Sequence, residues 1–139
     1  NLFQVGANVS YDLDLFGEMR TAALLGKAIA NDPTATSATD ILEMATLGGA
    51  KALALDKEIG SLEPGKSADL IAVDLKHINT QPTYNPVSHL VYAAHSTQVT
   101  DVWIAGRHLV KQKQLQTLNP SDLLAHASAW KSRIMASKS

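Results

Sequence analysis

Apolar residues in the first part of the chain recur at helical spacing. One stripe of them predicts a first helix, which ends before Asn31-Asp32-Pro33 because proline cannot continue a helix. A second helix is predicted to begin at Ser37 or Thr39, where a side-chain oxygen can cap it. Its glycines, Gly48 and Gly49, indicate either the close approach of another element or a kink. The two stripes are Leu15, Met19, Ala22, Leu25 and Ile29, and then Ile41, Ala45, Gly48, Ala52 and Leu55.

From residue 56 the pattern changes to short apolar segments that are separated by turns. The Pro and Gly within Glu63–Lys66 are typical of a type II turn. The segment Ala68–Val73 that follows is apolar almost throughout, which predicts a strand covered on both faces. We expect a loop around Pro82 and Pro86, because proline interrupts regular secondary structure. A hairpin that turns at Gly106 is predicted by the last two apolar segments, Val99–Ala105 and His108–Leu115.

The last part of the chain, residues 119–139, predicts one helix. Asn119 can cap it, and Pro120 suits the first helical position. Asp122 lies in the first turn, where a negative charge interacts favourably with the helix dipole. We expect the tail Ala136–Ser139 to fray. The apolar stripe of this helix is Leu123, Ala127, Trp130 and Ile134.

Composition and charge exclude several classes of protein. The 139 residues carry 12 Lys and Arg against 13 Asp and Glu, a net charge of -1, which gives no basic surface for nucleic acid. The absence of cysteine excludes disulfides and thiolate metal ligands. The longest apolar run, Leu90–Ala94, is too short for a membrane span or a signal segment, so we expect a cytoplasmic protein with no membrane partner. The length also excludes a complete (β/α)8 barrel, which needs about 200 residues or more.

The sequence contains no complete catalytic motif. None of the five histidines forms a His-x-His or His-Glu-x-x-His pair, and a catalytic zinc usually needs three protein ligands. A nucleophile elbow and a phosphate-binding loop are also absent. Asp12, Asp14 and Glu18 cluster before and inside the first helix, where either all three cap it and complement its dipole, or Asp12–Asp14 border an active site. Arg20 lies only two residues from Glu18, so we expect it to pair with a carboxylate from another element.

Five segments of the chain resemble one enzyme family. The run Asp12–Lys27 is the most specific of them, and the run Ile59–Asp74, with its Gly-Ser-Leu-Glu-Pro-Gly-Lys-Ser-Ala-Asp element, is shared by many branches. Together the segments resemble the C-terminal third of enzymes of the amidohydrolase superfamily. Within it they are similar to the 5-methylthioadenosine/S-adenosylhomocysteine deaminases, neighbours of the chlorohydrolases and cytosine-deaminase-like enzymes. The remaining matching segments are Met44–Leu53, Asn85–Tyr92 and Val99–Val110.

This resemblance implies an α/β fold, the C-terminal fragment of a metal-dependent (β/α)8 barrel hydrolase. Residues 1–55 would hold the last barrel strand and its helices, residues 56–118 the C-terminal part of a composite β-sandwich, and residues 119–139 a terminal helix. The family's His-x-His ligands, bridging glutamate and later histidines would lie upstream. Its metal-binding Asp has no counterpart here, because a short loop is missing between Val9 and Ser10. The chain is then either a true fragment or the joined pieces of a longer chain.

The resemblance also implies a function for the whole enzyme. It would be a hydrolytic deaminase of adenine-containing nucleoside thioethers, with a divalent metal, zinc, as cofactor and a purine nucleoside or related heterocycle as substrate. No residue of this chain is assigned as a catalytic residue or as a metal ligand, so we expect the chain alone to be inactive. Glu18 and Arg20 would provide structural support. The residues that would border the substrate pocket are Ser10, Tyr11, Asp12, Leu13 and Asp14.

Two alternatives stay open at this point. The whole enzyme could hydrolyse another C–N or C–Cl bond, as the triazine and guanine hydrolases of the same superfamily do. The chain could instead be a catalytically inactive structural or interaction module. In each case exposed helix faces and strand edges favour a homo-oligomer or association with the rest of the enzyme.

Overall fold

The computed structural model describes residues 14–137, which combine helices with one antiparallel sheet. The α/β prediction is confirmed at this coarse level. The chain begins with helix α1 (Leu15–Ala30), followed by α2 (Ala38–Glu43), a π-helical turn (Met44–Gly48) and α3 (Gly49–Ala52). The later elements are β1 (Leu70–Val73), α4 (Pro86–Tyr92), β2 (Val99–Ile104), β3 (Arg107–Lys111), β4 (Gln114–Leu115) and α5 (Pro120–Ala136), with 3-10 turns at Ile78–Thr80 and Ser96–Gln98.

Two of the helices begin where local polar residues predicted. Ser37, and not Thr39, caps α2, and Asp40 completes a reciprocal capping box with it. Asn119 caps α5, and Pro120 occupies its first turn. These starts depend on contacts within a few residues, which explains why the sequence alone located the start of α5 and narrowed that of α2 to two residues.

The two adjacent glycines of the second helix accommodate an irregular turn of that same helix. A Cβ on Gly48 would lie 3.2 Å from the carbonyl oxygen of Glu43, one π turn earlier. Of the two alternatives, a distortion of the helix therefore applies at Gly48, where the nearest described atoms to such a Cβ belong to Glu43 and Met44 of the same helix. The predicted apolar stripe is wrong beyond Ala45, because the buried residue after the π turn is Ala50. Helix α3 ends at Ala52, before the predicted last member of the stripe.

The sheet has the strand order β1-β2-β3-β4, and all neighbouring strands are antiparallel. Strands β2 and β3 form the predicted hairpin, with φ of +74° at Gly106 in the turn. The prediction of one strand over His108–Leu115 is wrong, because a second turn at Gln112 and Lys113 divides it into β3 and β4. Strand β1 begins at Leu70, two residues later than predicted, and pairs with β2 along one edge. Its Ile71 side chain is 51% exposed, so the prediction of a strand covered on both faces is wrong for the described part of the chain.

Helix α1 buries a different face from the one that was predicted. Of the predicted stripe, Met19 is buried and Ala22 packs partly against the core. The side that contacts α2 and α4 also carries Phe16 and Ala23, which are buried. Spacing alone does not show which of two apolar sides faces a neighbour. The exposed members of the predicted stripe are Leu15, Leu25 and Ile29.

Helix α4 corrects the prediction of a loop around Pro86. The proline lies in the first turn of this helix, where its missing N–H leaves no hydrogen bond unmade. The side chain of Asn85 caps the helix by accepting from the backbone N–H of Ser88 at 3.1 Å. Val91 of α4 is completely buried, and it joins α4 to the core formed with α1 and α2.

Helix α5 begins where predicted and includes Ala136, which was expected to fray, but it lacks the predicted packing. None of its described residues is buried. The largest members of its stripe, Leu123, Trp130 and Ile134, are 45%, 62% and 51% exposed. Within residues 14–137, no helix combines the length and apolar character that a membrane crossing requires.

Candidate functional site

Of the five residues that were predicted to border the pocket, Asp14 is the one that lies within the described residues. Asp14 caps α1, and its Oδ1 accepts from the backbone N–H of Phe16 at 3.0 Å. A carboxylate at this position also interacts favourably with the helix dipole. The capping role that the sequence allowed for Asp14 is therefore present, and its role at a pocket stays a prediction. The other predicted border residues, Ser10, Tyr11, Asp12 and Leu13, lie outside the described residues.

Two side chains near the start of α1 contact the segment that follows α4. The Nη2 atom of Arg20 donates to the carbonyl oxygen of Ala94 at 2.8 Å. The backbone N–H of Ser96 points to Oδ2 of Asp14 at a longer 3.5 Å. Within residues 14–137, Arg20 thus contacts a carbonyl and not the carboxylate that we expected. We call these two contacts the loop clamp, because together they join the first turns of α1 to residues 94–96.

The other predicted support residue, Glu18, lies apart from this clamp. It is partly buried and faces an apolar trough of about 190 Å³ between α1 and the second helix. The described residues contain no ion pair between Glu18 and Arg20, as their spacing on the helix predicts. With one carboxylate and no second polar side chain, the trough offers no chemistry of its own. Its lining consists of Leu15, Glu18, Met19, Ala22, Ile41, Met44 and Ala45.

The histidines serve separate local roles. Nδ1 of His89 lies 2.8 Å from the carbonyl oxygen of Asn85, one turn earlier in α4. The ring of His77 accepts from the backbone N–H of Asn79 at 3.4 Å. Within residues 14–137, no three His, Asp or Glu side chains are grouped so that they could hold a metal ion. This part of the chain therefore does not fit a zinc site, and we assign no reaction step to one here.

A polar cluster on the hairpin was not predicted from the sequence. Nε2 of His108 lies 2.9 Å from Oδ1 of Asp101, and the His108 ring stacks on Trp103 with their centroids 4.3 Å apart. The Thr100 hydroxyl, followed by the N–H of Gln112 and the His108 ring, holds the pKa of the Asp101 carboxyl below its ordinary value, against the opposing effect of desolvation. The sequence could have indicated the contact between Trp103 and His108, since these two residues lie opposite each other across the predicted hairpin.

The widely shared motif forms a loop that joins several elements, and we call residues 59–69 the motif loop. Nζ of Lys66 donates to the carbonyl oxygen of Asp56 at 2.6 Å and to the Ser61 hydroxyl at 2.7 Å. Oδ1 of Asp69 accepts from the backbone N–H of Ala105 at 2.6 Å, which ties the loop to the hairpin turn. The pattern predicted the turn in this loop but not these contacts. The described geometry gives the motif a scaffold role.

The fold and the contacts described above agree with the result of a comparison against models of protein families. The model of the amidohydrolase family matches residues 5–109, about three quarters of the chain. The chain belongs to the amidohydrolase family. The match includes α1, the motif loop and most of the hairpin, so the loop clamp and the contacts of the motif loop both lie within the matched region.

This amidohydrolase chain is similar to longer deaminases. It is 44% identical over 133 residues to the 5-methylthioadenosine/S-adenosylhomocysteine deaminase of Teredinibacter turnerae. The matched region covers 96% of this chain and 30% of that protein. A crystal structure of an adenosine deaminase from Xanthomonas campestris with bound zinc matches with a TM-score of 0.83 and 50% identity, over 88% of this chain and 28% of that one.

A second solved structure extends the comparison beyond deaminases. The atrazine chlorohydrolase of Arthrobacter aurescens, in complex with zinc, matches with a TM-score of 0.73 and 28% identity, over 82% of this amidohydrolase chain and 25% of that one. The chain spans about 30% of the length of the curated relatives it matches. The similarity therefore concerns one part of these enzymes.

Proposed function

We propose that the chain is the C-terminal portion of a longer amidohydrolase that deaminates adenine-containing nucleoside thioethers, such as S-adenosylhomocysteine and 5-methylthioadenosine. The observation that carries this proposal is the 44% identity to a deaminase of that name over 96% of the chain. The specific run Asp12–Lys27 supports the same branch. Residues 1–55 would then contribute the last strand and helices of a (β/α)8 barrel, residues 56–118 part of a composite β-sandwich, and residues 119–139 a terminal helix.

The proposed reaction is a hydrolysis at the amine-bearing carbon of the adenine ring. The oxygen of water bonds to that carbon, the carbon–nitrogen bond breaks, and the amine leaves as ammonia after it takes up a proton. A divalent metal, which is zinc in the two solved structures, supplies Lewis-acid activation of water in such reactions. Because residues 14–137 contain no group of metal ligands, the metal and the reacting groups would belong to the rest of the enzyme.

In this proposal the chain supports the pocket and does not carry out the chemistry. Ser10, Tyr11, Asp12, Leu13 and Asp14 would border the substrate, while Glu18 and Arg20 would support the helix behind them. Helix α1 is well placed for this role, because Asp14 fixes its first turn and Phe16 and Met19 anchor that turn in the core.

A second candidate is a C–N or C–Cl bond hydrolase of the triazine or guanine type. The similarity to the atrazine chlorohydrolase favours it, since 28% identity extends over most of this chain. The residues that contact the two kinds of substrate would lie in the rest of the enzyme, so substrate tests are needed to distinguish these candidates.

Ammonia release from the whole protein with added zinc tests the proposal. We expect release from S-adenosylhomocysteine and 5-methylthioadenosine, and little from guanine or atrazine. Activity on guanine, or chloride release from atrazine, with none on the two thioethers would favour the second candidate. The 139-residue chain alone should release no ammonia from any of them. Activity of this chain alone would disprove our proposal that the reacting groups lie elsewhere.

A further inference from the structure

We propose that the apolar face of the sheet is an interface between two copies of this chain. A row of four apolar side chains crosses all four strands on this face, and we call it the apolar row. Each member is paired with the next in the strand register, so the four side chains point to the same side of the sheet. From β1 to β4 the members of the row are Ile71, Val102, Val110 and Leu115. None of them belongs to the predicted pocket border, so the interface goes beyond the proposed reaction.

The outer members of the apolar row are exposed in a single copy. Ile71 is 51% exposed and Leu115 is 44% exposed, and Ile104, at the end of β2, is 51% exposed. The other face of the sheet carries the polar pair of Asp101 and His108. An antiparallel sheet with one apolar and one polar face normally buries the apolar face. The exposed row therefore indicates a surface that a partner covers.

Two grooves of equal size, about 520 Å³ each, meet at Val102 of the apolar row. The described residues that line the first groove include one charged side chain, Asp69, and those that line the second include Lys113. Both of these side chains are exposed, and the other lining residues are apolar or uncharged. We call the first the acidic groove and the second the basic groove. The same apolar face thus carries opposite charges on its two sides.

The two charges lie at diagonally opposite corners of the sheet. Asp69 comes immediately before β1, and Lys113 follows the end of β3, which runs in the same direction as β1. A two-fold axis near Val102 therefore lays the acidic groove of each copy on the basic groove of the other, with the strands of the two sheets crossing steeply. Such a contact is isologous, because the same patch serves both copies. Near-perpendicular crossing is one of the two usual ways in which sheets pack face to face.

The positions of the charges favour a second copy as the partner. Each copy supplies a carboxylate for the basic groove of the other and an ammonium group for its acidic groove, so one symmetric contact pairs all four charges. Oδ1 of Asp69 accepts from the backbone N–H of Ala105 at 2.6 Å, which fixes the direction of the carboxylate. The backbone N–H of Lys113 donates to the carbonyl oxygen of Thr100 at 2.7 Å. Groups that are already fixed lose less freedom on association.

The test measures the mass of the whole protein in solution, by light scattering during size-exclusion chromatography. The unmodified protein should have the mass of a dimer. Lys113→Glu places a carboxylate opposite the partner's Asp69 at both ends of the interface, so we expect the dissociation constant of the dimer to rise about tenfold or more. Lys113→Arg, which keeps the charge, should leave the dissociation constant unchanged.

Lys111→Glu is the matched control for Lys113→Glu. It makes the same change in net charge two positions earlier, at another exposed lysine. Because Lys111 follows Val110 directly in β3, its side chain points to the opposite face of the sheet. We expect its dissociation constant to equal that of the unmodified protein. Equal weakening by the two variants would overturn the proposal, since it would show a general effect of charge.

Leu115→Gln tests the apolar row independently of the charges. The side chain is already 44% exposed, so one copy should fold with glutamine in its place. We expect the dissociation constant to rise about tenfold or more, because two leucines leave the interface. The control Leu124→Gln makes the same change on α5, where the side chain is 70% exposed, and should keep the dimer. Dissociation with Leu124→Gln but not with Leu115→Gln would place the interface on α5 and overturn the proposal.

A different occupant of the sheet face would give other results. A whole protein that stays a monomer at every concentration would overturn the proposal. In that case, slow thiol labelling of the variant Leu115→Cys, followed by mass spectrometry of the peptide that contains it, would show that the earlier part of the longer enzyme covers the sheet. A dimer that neither Lys113→Glu nor Leu115→Gln weakens would also overturn the proposal, because its interface would lie elsewhere.

Discussion

The motif loop and helix α5 differ in how the chain holds them. The motif loop has little regular structure, but Nζ of Lys66 ties it to the carbonyl oxygen of Asp56, and Oδ1 of Asp69 ties it to the backbone N–H of Ala105 in the hairpin turn, both at 2.6 Å. Helix α5 has 17 residues of regular helix, a capping Asn119 and a proline in its first turn, yet none of its described residues is buried. Regular structure and attachment to the fold are therefore separate properties in this molecule.

The difference shows what each kind of sequence signal specifies. Caps and apolar periodicity specify a helix, because they act within a few residues. Attachment to the fold depends on a partner at the right distance, and most of the stability of a helix in a protein comes from such packing. Substitutions in the motif loop should therefore change stability strongly, while substitutions on the apolar stripe of α5 should change it little.

The largest effect is expected from Gly60→Ala in the motif loop. A Cβ at this position would lie 2.7 Å from Cβ of Ala50 and 3.0 Å from Cα of Leu47, and the backbone φ of +92° disfavours any side chain. We expect the free energy of unfolding to fall by about 3 kcal/mol from overpacking and backbone strain together. Urea unfolding followed by circular dichroism measures the change.

Gly65→Ala is a closely matched control for that substitution. Gly65 has nearly the same φ, +93°, but apart from its chain neighbours no atom of the described residues lies within 4 Å of the position of its Cβ. Its replacement should cost only the backbone strain, about 1 kcal/mol. Equal losses for the two variants would show that crowding of the new methyl group against Ala50 and Leu47 adds nothing to the cost of the backbone strain.

Lys66→Met should have the next largest effect. The methionine keeps most of the packing of the partly buried chain but removes the donors to Asp56 and Ser61, so we expect a loss of about 2 kcal/mol in the free energy of unfolding. The control is Lys51→Met, since Lys51 forms an exposed ion pair with Glu43 at 3.9 Å. That variant should change stability by less than about 0.5 kcal/mol, and a loss as large as that of Lys66→Met would contradict the scaffold role.

Asp101→Asn on the hairpin should change how stability depends on pH. Because the pKa of the Asp101 carboxyl is lowered by folding, its ionised form stabilises the fold at neutral pH, and this contribution is lost as the pH falls below its ordinary value of 3.8. The variant should be less stable near neutral pH and should lose less stability on acidification. Unfolding temperatures measured across that range test this, and parallel curves for the two proteins would disprove it.

The smallest effect is expected from Trp130→Ala on α5. Its side chain is 62% exposed, and its described ring contact is with Arg133 of the same helix, so the free energy of unfolding should change by less than about 0.5 kcal/mol. A loss above about 2 kcal/mol would mean that α5 is covered, for example in the homo-oligomer we expect. Size-exclusion chromatography of both proteins distinguishes these cases, because a covered stripe would also shift the elution volume on substitution.

The sequence predicted the elements whose causes are local. Asn119 and the Gly106 turn were located correctly, and the cap of α2 was narrowed to Ser37 or Thr39, since each acts through neighbours in the chain. The α4 helix was missed because Pro86 can either interrupt a helix or begin one, and only the burial of Val91 distinguishes the two cases.

The candidate site was harder to predict than the elements. The contact between Arg20 and Ala94 joins residues 74 positions apart, and that between Asp14 and Ser96 joins residues 82 apart. No spacing rule connects such positions. The resemblance identified the run that contains Asp14 and Arg20, but the partners of these two residues required the fold.

The π-helical turn Met44–Gly48 has a consequence for how one continuous helix serves two neighbours. A π turn contains one residue more than an α-helical turn, so the residues after it are rotated by about 100° relative to an unbroken helix. Ile41, before the turn, packs in the core with α1 and α4, whereas Ala50, after it, lies beside Gly60. The extra residue thus shifts the phase of the helical repeat. As a result, the buried residue before the turn faces the core, and the buried residue after it faces the motif loop.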